Sequence, residues 1–497
     1  MTKSATLDLL GPDARSFVAK EKRLYIGGAW VPAASGETFE TIDPATEVAF
    51  DRVPLGAPVD VDRAVAAARS AFEEGPWASM TPGDRSKLVW RLGDLIEKHA
   101  DEIAEIEAID NGKPWAQARF GDIAFCHELF HYMAGWCTKI NGETITLSSP
   151  APFHAYTLRS PVGVCGQIVP WNFSFMMAVW KVAPALASGC TIVLKPAKQT
   201  PLTALRLAEL VEEAGFPKGV FNVVTGYGDT VGTALAAHPG VDKVAFTGST
   251  EVGRKIMAAA QGNIKKVSLE LGGKSPMVVF ADADLDLTIK AVASGIFYNM
   301  GQVCTAGTRL YVEDAVADEV IDGLIHEAKS LKIGPGPDRE TQFGPLVSAE
   351  QFARVAGYVE TGLAEGAKLA TGGERVGNRG YFLAPTILTE TNPEMTVVRE
   401  EIFGPVLCVA RFREEEAAVR EANNSIYGLA GSVFTRDLSR GLRVAARLKG
   451  GTIGVNTHHV VDPALPFGGF KQSGWGREMG REAIELYTEV KSVGVAL

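Results

Sequence analysis

The sequence predicts an α/β protein with two doubly wound, parallel-sheet domains and a small β appendage. Three observations carry this reading. At 497 residues the chain is too long for one hydrophobic core. Short β-branched runs alternate with longer amphipathic stretches through its middle. Two Thr- and Val-rich segments of alternating polarity stand outside that rhythm.

Taken in order, Cys165–Pro170 reads as a strand, Met176–Ala187 as a helix, and Thr191–Leu194 as a strand. Pro201–Gly215 reads as a helix, Gly219–Val224 as a strand and Asp229–Ala237 as a helix. Lys243–Phe246 is a strand and Ser249–Ala260 a helix. A second unit starts near Lys274, with a strand at Ser275–Phe280, a long helix from Asp284 and a strand at Arg309–Val312. The outlying segments are Glu143–Ser160 and Leu486–Val495, long strands without an obvious partner. Exposed edges of this kind are commonly covered by a second subunit, so oligomerisation is favoured over a satellite hairpin.

Composition narrows the function. The chain is 46% hydrophobic and 22% charged, which excludes long disorder. A net charge of −10 without a basic cluster argues against nucleic acid as a partner. The six cysteines (126, 137, 165, 190, 304 and 408) form no CxxC pair, so a disulfide framework is not indicated and reduced thiols of a cytoplasmic protein fit. Met1–Lys20 lacks the apolar core of a signal peptide. Phe175–Leu194 is largely apolar, but Lys181, Pro184 and Gly189 interrupt it. A buried helix running into a buried strand is expected there, and no membrane partner.

Three residues stand out chemically. Cys304 lies in Asn299-Met-Gly-Gln-Val-Cys-Thr-Ala-Gly307, where small polar neighbours favour an accessible thiol over a core filler. Glu270 lies in Leu269-Glu-Leu-Gly-Gly-Lys274. It reads equally as a general base raised by apolar surroundings or as a partner of Lys274. Asn172 closes a strand in Pro170-Trp-Asn-Phe-Ser174, where it serves either the turn or an oxyanion.

These segments, followed by Glu400-Glu-Ile-Phe-Gly-Pro405 and Pro466-Phe-Gly-Gly-Phe-Lys-Gln-Ser-Gly474, occur in an order and spacing that resemble the aldehyde dehydrogenase superfamily from about Leu24 onward. The resemblance implies an oxidoreductase that turns an aldehyde into a carboxylic acid with NAD or NADP. Cys304 attacks the carbonyl, Asn172 and the Cys304 backbone N–H hold the oxyanion, and Glu270 activates water to hydrolyse the thioester. Lys181 and Glu478 match a proton relay. It also implies two Rossmann-like domains plus a small β oligomerisation domain. Residues 1–140 and 161–272 would bind the dinucleotide, 273–470 would be catalytic, and 141–160 with 484–497 would supply strands to a homodimer or homotetramer.

Two glycine-rich loops compete for the cofactor. Gly226–Gly232 misses the G-x-G-x-x-G spacing by one residue, whereas Gly248–Gly253 follows a strand and opens a helix. In the family the second takes the pyrophosphate, with Ser249 near it. Gly228 and Val252 border adenine, Lys195 meets the adenosine ribose, and Glu401 and Phe403 hold the nicotinamide ribose. Ile168, Trp171 and Phe246 complete the cofactor set. NAD-specific relatives carry a glutamate where this chain has Lys198. Either NADP is accepted through it, or Lys198 turns to solvent.

Positions matching the family's tunnel are Phe125, Phe173, Met177, Trp180, Tyr298, Val303, Thr305, His459, Val461 and Phe467. They favour a hydrophobic aldehyde. The Val455–Pro466 loop resembles that of phenylacetaldehyde dehydrogenases, which makes an aryl-acetaldehyde the specific expectation. Ser174 replaces a proline common in relatives. His127-Glu-Leu-Phe-His131 spells the zinc-peptidase H-E-x-x-H, but no third ligand follows along the chain, so no metal is expected. His458 and His459 are adjacent and expected to diverge. A CoA-acylating dehydrogenase and a catalytically silent relative are the rival readings. Intact Cys304, Glu270 and Asn172 count against both.

Overall fold

The computed structural model describes residues 5–497, so the first four residues of the Met1–Lys20 segment lie outside the described residues. Two large sheets organise the chain. In the first, five parallel strands lie in the spatial order Phe221–Val223, Thr191–Lys195, Val164–Ile168, Lys243–Thr247 and Lys266–Glu270. The hairpin Leu24–Ile26/Ala29–Val31 extends one edge and Gly474–Trp475 runs antiparallel at the other. The three central strands are buried at every residue, which is why they read as apolar runs rather than as alternating patterns.

Chain order sets the ligand crevice. From Val164–Ile168 the chain winds outward through Thr191–Lys195 and Phe221–Val223. It then returns to the opposite side of the first strand at Lys243–Thr247. Such a reversal opens a cleft at the carboxyl ends of the two strands that flank it. Each expected helix of this unit is present: Ser174–Ser188, Leu202–Ala214, Thr233–Ala237 (entered through a wider turn at Gly228–Gly232) and Thr250–Ala260. Ser174–Ser188 is buried almost throughout and runs into the buried strand Thr191–Lys195. Among the described residues no helix is long and apolar enough to cross a membrane.

The second sheet has seven strands, in the order Lys368–Thr371, Thr386–Thr389, Val406–Phe412, Arg309–Glu313, Pro276–Val279, Ala430–Phe434 and Thr452–Val455. All pairings are parallel except the one at the Lys368–Thr371 edge. The helix Leu285–Phe297 crosses from Pro276–Val279 and delivers the chain to the cysteine loop.

The two outlying segments find their first partner in each other. Phe153–Pro161 pairs antiparallel with Thr488–Ala496 along its whole length, from Pro161 opposite Thr488 to Phe153 opposite Ala496. Thr144–Ile145 adds a short third strand. The strand expected at Leu486–Val495 begins two residues later, at Thr488, because Gly480–Leu486 completes a helix.

Candidate active site

The cysteine loop is built by strained backbone. After the helix Leu285–Phe297, Asn299 and Met300 adopt left-handed conformations with φ of 45° and 54°, followed by Gly301 at 69°. A non-glycine residue there costs on the order of 1–3 kcal/mol and persists only where its surroundings hold it. Asn299 is held by its own amide, which donates to the Asn172 carbonyl at 2.9 Å, and the Gly344 N–H reaches the Met300 sulfur at 3.1 Å. Asn172 Nδ2 in turn donates to the Gln302 carbonyl at 2.9 Å, tying the expected oxyanion donor to the loop of the expected nucleophile. All six thiols are free, and only that of Cys304 is partly exposed.

The Gly272-Gly273 pair makes room for two neighbours. A Cβ on Gly272 would lie 2.3 Å from Glu401 Oε2, and one on Gly273 would lie 2.3 Å from the Cys304 carbonyl oxygen. Glu401 Oε1 accepts the Gly273 N–H at 2.8 Å. Gly468 does the same for Glu270, whose Oε1 would sit 2.9 Å from an added Cβ. The motif therefore brings the carboxylates of Glu270 and Glu401 and the Cys304 loop to one place.

The expected Glu270–Lys274 pair does not form. Glu270 Oε2 and Lys274 Nζ are each buried without a hydrogen-bond partner. Burial raises Glu270 well above the usual carboxylate range, and the negative charge of Glu478 adds to it. Lys181 binds Glu478 at 2.5 Å and the Thr247 hydroxyl at 2.7 Å, with both charged groups buried. Burial, then the charges of Glu401 and Glu270, push the Cys304 thiol up to about 12. Glu401 rises to about 7 by burial, which puts its titration near neutral pH.

The crevice at the strand ends collects the expected cofactor residues. Ile168 and Lys195 end neighbouring strands, and Phe246 and Gly248 lead into the helix Thr250–Ala260. Ser249 caps that helix by accepting the Val252 N–H at 3.3 Å, at the helix end where a phosphate is favoured. Trp171 packs edge-on against Phe403 with centroids 5.2 Å apart. A dinucleotide fits these residues on one decisive point. Lys195 is 4% exposed and lies in no ion pair among the described residues, so its ammonium is placed at the cleft with the carboxylate of Asp229 as its one nearby opposite charge. Its pKa falls to about 8 through burial and through the neighbouring charge of Lys198. Lys198 itself is exposed, with its ammonium 5.9 Å from the Tyr227 ring centroid.

Every side chain expected at the tunnel lines one cavity of about 320 Å³ that includes Cys304, with Gly121, Asp122, Met176 and Ser294 as unforeseen additions. Trp180 packs against Phe467 at 5.0 Å and Phe125 at 5.9 Å, and Phe173 stacks near Tyr298 at 6.3 Å. No free cation faces this space among the described residues. Burial drops His459 to about 3 and His458 to about 4, so both imidazoles are neutral. His458 turns to Ser432 and the Thr305 carbonyl and His459 to the Thr305 hydroxyl, yet their rings pack edge to face with centroids 4.5 Å apart, so the expected divergence is corrected: the left-handed backbone at His459 keeps the two imidazoles together.

Sequence reasoning missed the cluster behind the tunnel wall. Glu107 accepts the N–H groups of Ser174 and Phe175 at 3.1 and 3.4 Å, the first of which a proline at 174 could not donate. Lys113 bridges Glu107 and Asp122 beneath the Phe173 ring, and Tyr298 donates to Asp122 at 3.1 Å. Asn299, Gln302 and Gly468 were missed too. Glu107 and Lys113 stand in a segment that also carries Asp101, Glu102, Glu105 and Asp110, so no local signal sets them apart.

His127 and His131 sit on the helix Ala124–Trp136, whose opposite side carries Phe125 into the cavity. A third group absent from the local sequence joins them: Asp94, from the helix Pro82–Lys98.

Comparison with known proteins agrees with this geometry. The aldehyde dehydrogenase family model matches residues 30–493. The chain is 48% identical over 478 residues to a mitochondrial aldehyde dehydrogenase of Leishmania tarentolae, covering 96% of this chain and 95% of that one. It is 45% identical over 477 residues to aldehyde dehydrogenase 1A1 of Oryctolagus cuniculus, covering 96% of each. Among solved structures, the NAD+ complex of aldehyde dehydrogenase from Bacillus cereus superposes with a TM-score of 0.97 at 50% identity, over 98% of this chain and 99% of that one. Betaine aldehyde dehydrogenase from Staphylococcus aureus with NAD+ gives 0.95 at 40% identity, over 97% of each.

Proposed function

The chain belongs to the aldehyde dehydrogenase family and is an NAD(P)-dependent aldehyde dehydrogenase; on that premise we propose that it oxidises an aryl-bearing, hydrophobic aldehyde through a thioester on Cys304. Ionised Glu270 takes the Cys304 proton, directly or through water, and the thiolate adds to the carbonyl carbon. The Asn172 amide and the Cys304 backbone N–H receive the resulting oxyanion. A dinucleotide held in the cleft would supply the hydride acceptor, and loss of hydride from the thiohemiacetal carbon would leave a thioester on Cys304. Once Glu270 has passed the Cys304 proton on and is ionised again, it removes a proton from water, the hydroxide adds to the thioester, and Cys304 leaves as thiolate. The Lys181–Glu478 pair supports passage of that proton away from Glu270, because Glu478 acts on Glu270 through its charge and holds one oxygen free.

The observation that carries the substrate class is the cavity: small, aromatic and without a free cation. It offers nothing to pair with the carboxylate of a semialdehyde, since Lys113 is committed to Glu107 and Asp122. Two neighbouring ammonium groups, Lys195 and Lys198, support acceptance of the 2′-phosphate of NADP as well as of NAD. Ile168, Trp171, Phe246, Gly248, Ser249, Gly228, Val252, Glu401 and Phe403 are assigned the remaining cofactor contacts. The outer edge of Thr488–Ala496, unpaired among the described residues, supports a homo-oligomer.

The test is steady-state reduction of NAD and NADP with phenylacetaldehyde, short aliphatic aldehydes, betaine aldehyde and a carboxylated semialdehyde. Phenylacetaldehyde should give the highest kcat/KM, and Trp180→Ala should raise its KM about tenfold or more. A preference for the semialdehyde would overturn the assignment.

A further inference from the structure

We propose that Asp94, His127 and His131 form a binding site for a divalent transition-metal ion of the zinc, cobalt and nickel class, on the outer face of the tunnel wall. Spacing of four residues puts both imidazoles on one face of the helix Ala124–Trp136, and the packed helix Pro82–Lys98 adds the carboxylate. One donor atom from each of the three lies within 4.8 Å of the others.

The histidines are oriented before any ion arrives. His127 Nδ1 donates to the Gly93 carbonyl at 3.1 Å, which fixes the tautomer and leaves the Nε2 lone pair free. The His131 ring lies flat on Trp90, with centroids 3.9 Å apart at 10°. Gly93 gives it space, for a Cβ there would lie 2.7 Å from His131 Cδ2. His131 Nε2 meets Asp94 Oδ1 at 2.9 Å. On binding, that proton moves to Nδ1 and both atoms become ligands.

Donors around a tetrahedral ion with bonds near 2.0–2.1 Å stand about 3.4 Å apart, so the cluster must contract. Asp94 is exposed and can swing to close it. Two imidazoles and one carboxylate, completed by water, suit borderline divalent ions rather than magnesium or calcium. Glu128 of the same motif points to solvent and joins no cluster, so the site is a brace rather than a peptidase. An ion here would tie the helix bearing Phe125 to its neighbour.

The experiment is calorimetric titration of Co²⁺ into the untagged Cys304→Ala protein, a background that removes the accessible thiol as a competing ligand, with visible absorbance as a second readout. One ion per chain is expected at micromolar concentration. His127→Ala and Asp94→Asn should each weaken binding at least tenfold, while Glu128→Gln should leave it unchanged. Asp94 lies at the surface, so its variant remains informative if His127→Ala fails to fold. Absence of saturable binding up to about 1 mM would overturn the proposal. So would binding that survives Asp94→Asn, which would reduce the site to an exposed histidine pair.

Discussion

Two buried lysines flank the cavity, and they are partnered in different ways. Lys113 bridges Glu107 and Asp122, and the carboxylate oxygens of both acids are occupied by Lys113, Tyr298 and the N–H groups of Ser174 and Phe175. Lys181 binds Glu478 and Thr247, yet Glu478 Oε2 and Glu270 Oε2 beside it have no hydrogen-bond partner. A buried charge with every bond made is fixed in place. A buried carboxylate with an open oxygen is costly to keep and able to exchange a proton. The first cluster sets the tunnel wall, and the second is the one through which the proposed mechanism moves protons.

Substitutions can break this contrast. The largest effect belongs to the orphaned side: Glu270→Gln should lower steady-state turnover by about 10²–10⁴-fold with little change in unfolding midpoint, as measured by NADH formation and urea denaturation. Lys113→Met should do the converse. It leaves two buried carboxylates unpaired, and loss of about 3–5 kcal/mol in urea unfolding is expected. Equal stability of Lys113→Met and the parent chain would erase the distinction.

Smaller changes sharpen it. Glu270 is raised by burial and by Glu478, so turnover should increase with pH through a limb lying above the ordinary carboxylate range. Lys181 opposes that rise, and its loss favours the protonated acid. The Lys181→Met limb should therefore move to higher pH in a kcat–pH profile. The smallest effect is at the exposed edge of the cofactor cleft. Lys198→Glu should cut kcat/KM for NADP about tenfold while sparing NAD, since a carboxylate there repels a 2′-phosphate.

Much of this was legible along the chain. The β-α rhythm from Cys165 to Ala260 gave strands and helices close to those observed, because each is buried enough to show its period locally. The motifs around Cys304 and Glu270 identified the family. What stayed hidden depends on distance in sequence. Phe153–Pro161 could not announce that Thr488–Ala496 is its partner, because pairing leaves no mark within either strand. Gly272 and Gly468 show their purpose only when Glu401 and Glu270 are seen against them. The same holds for Asp94, which no inspection of His127-Glu-Leu-Phe-His131 could supply.

The central claim is that Cys304 carries the acyl group and Glu270 releases it. Rapid-quench intact-protein and peptide mass spectrometry of Glu270→Gln, mixed with phenylacetaldehyde and NAD, tests it most directly. The account predicts a phenylacetyl adduct on the peptide containing Cys304, with at most one equivalent of NADH formed per chain before turnover stalls. Sustained wild-type turnover in this variant, or an adduct on any other residue, would contradict it.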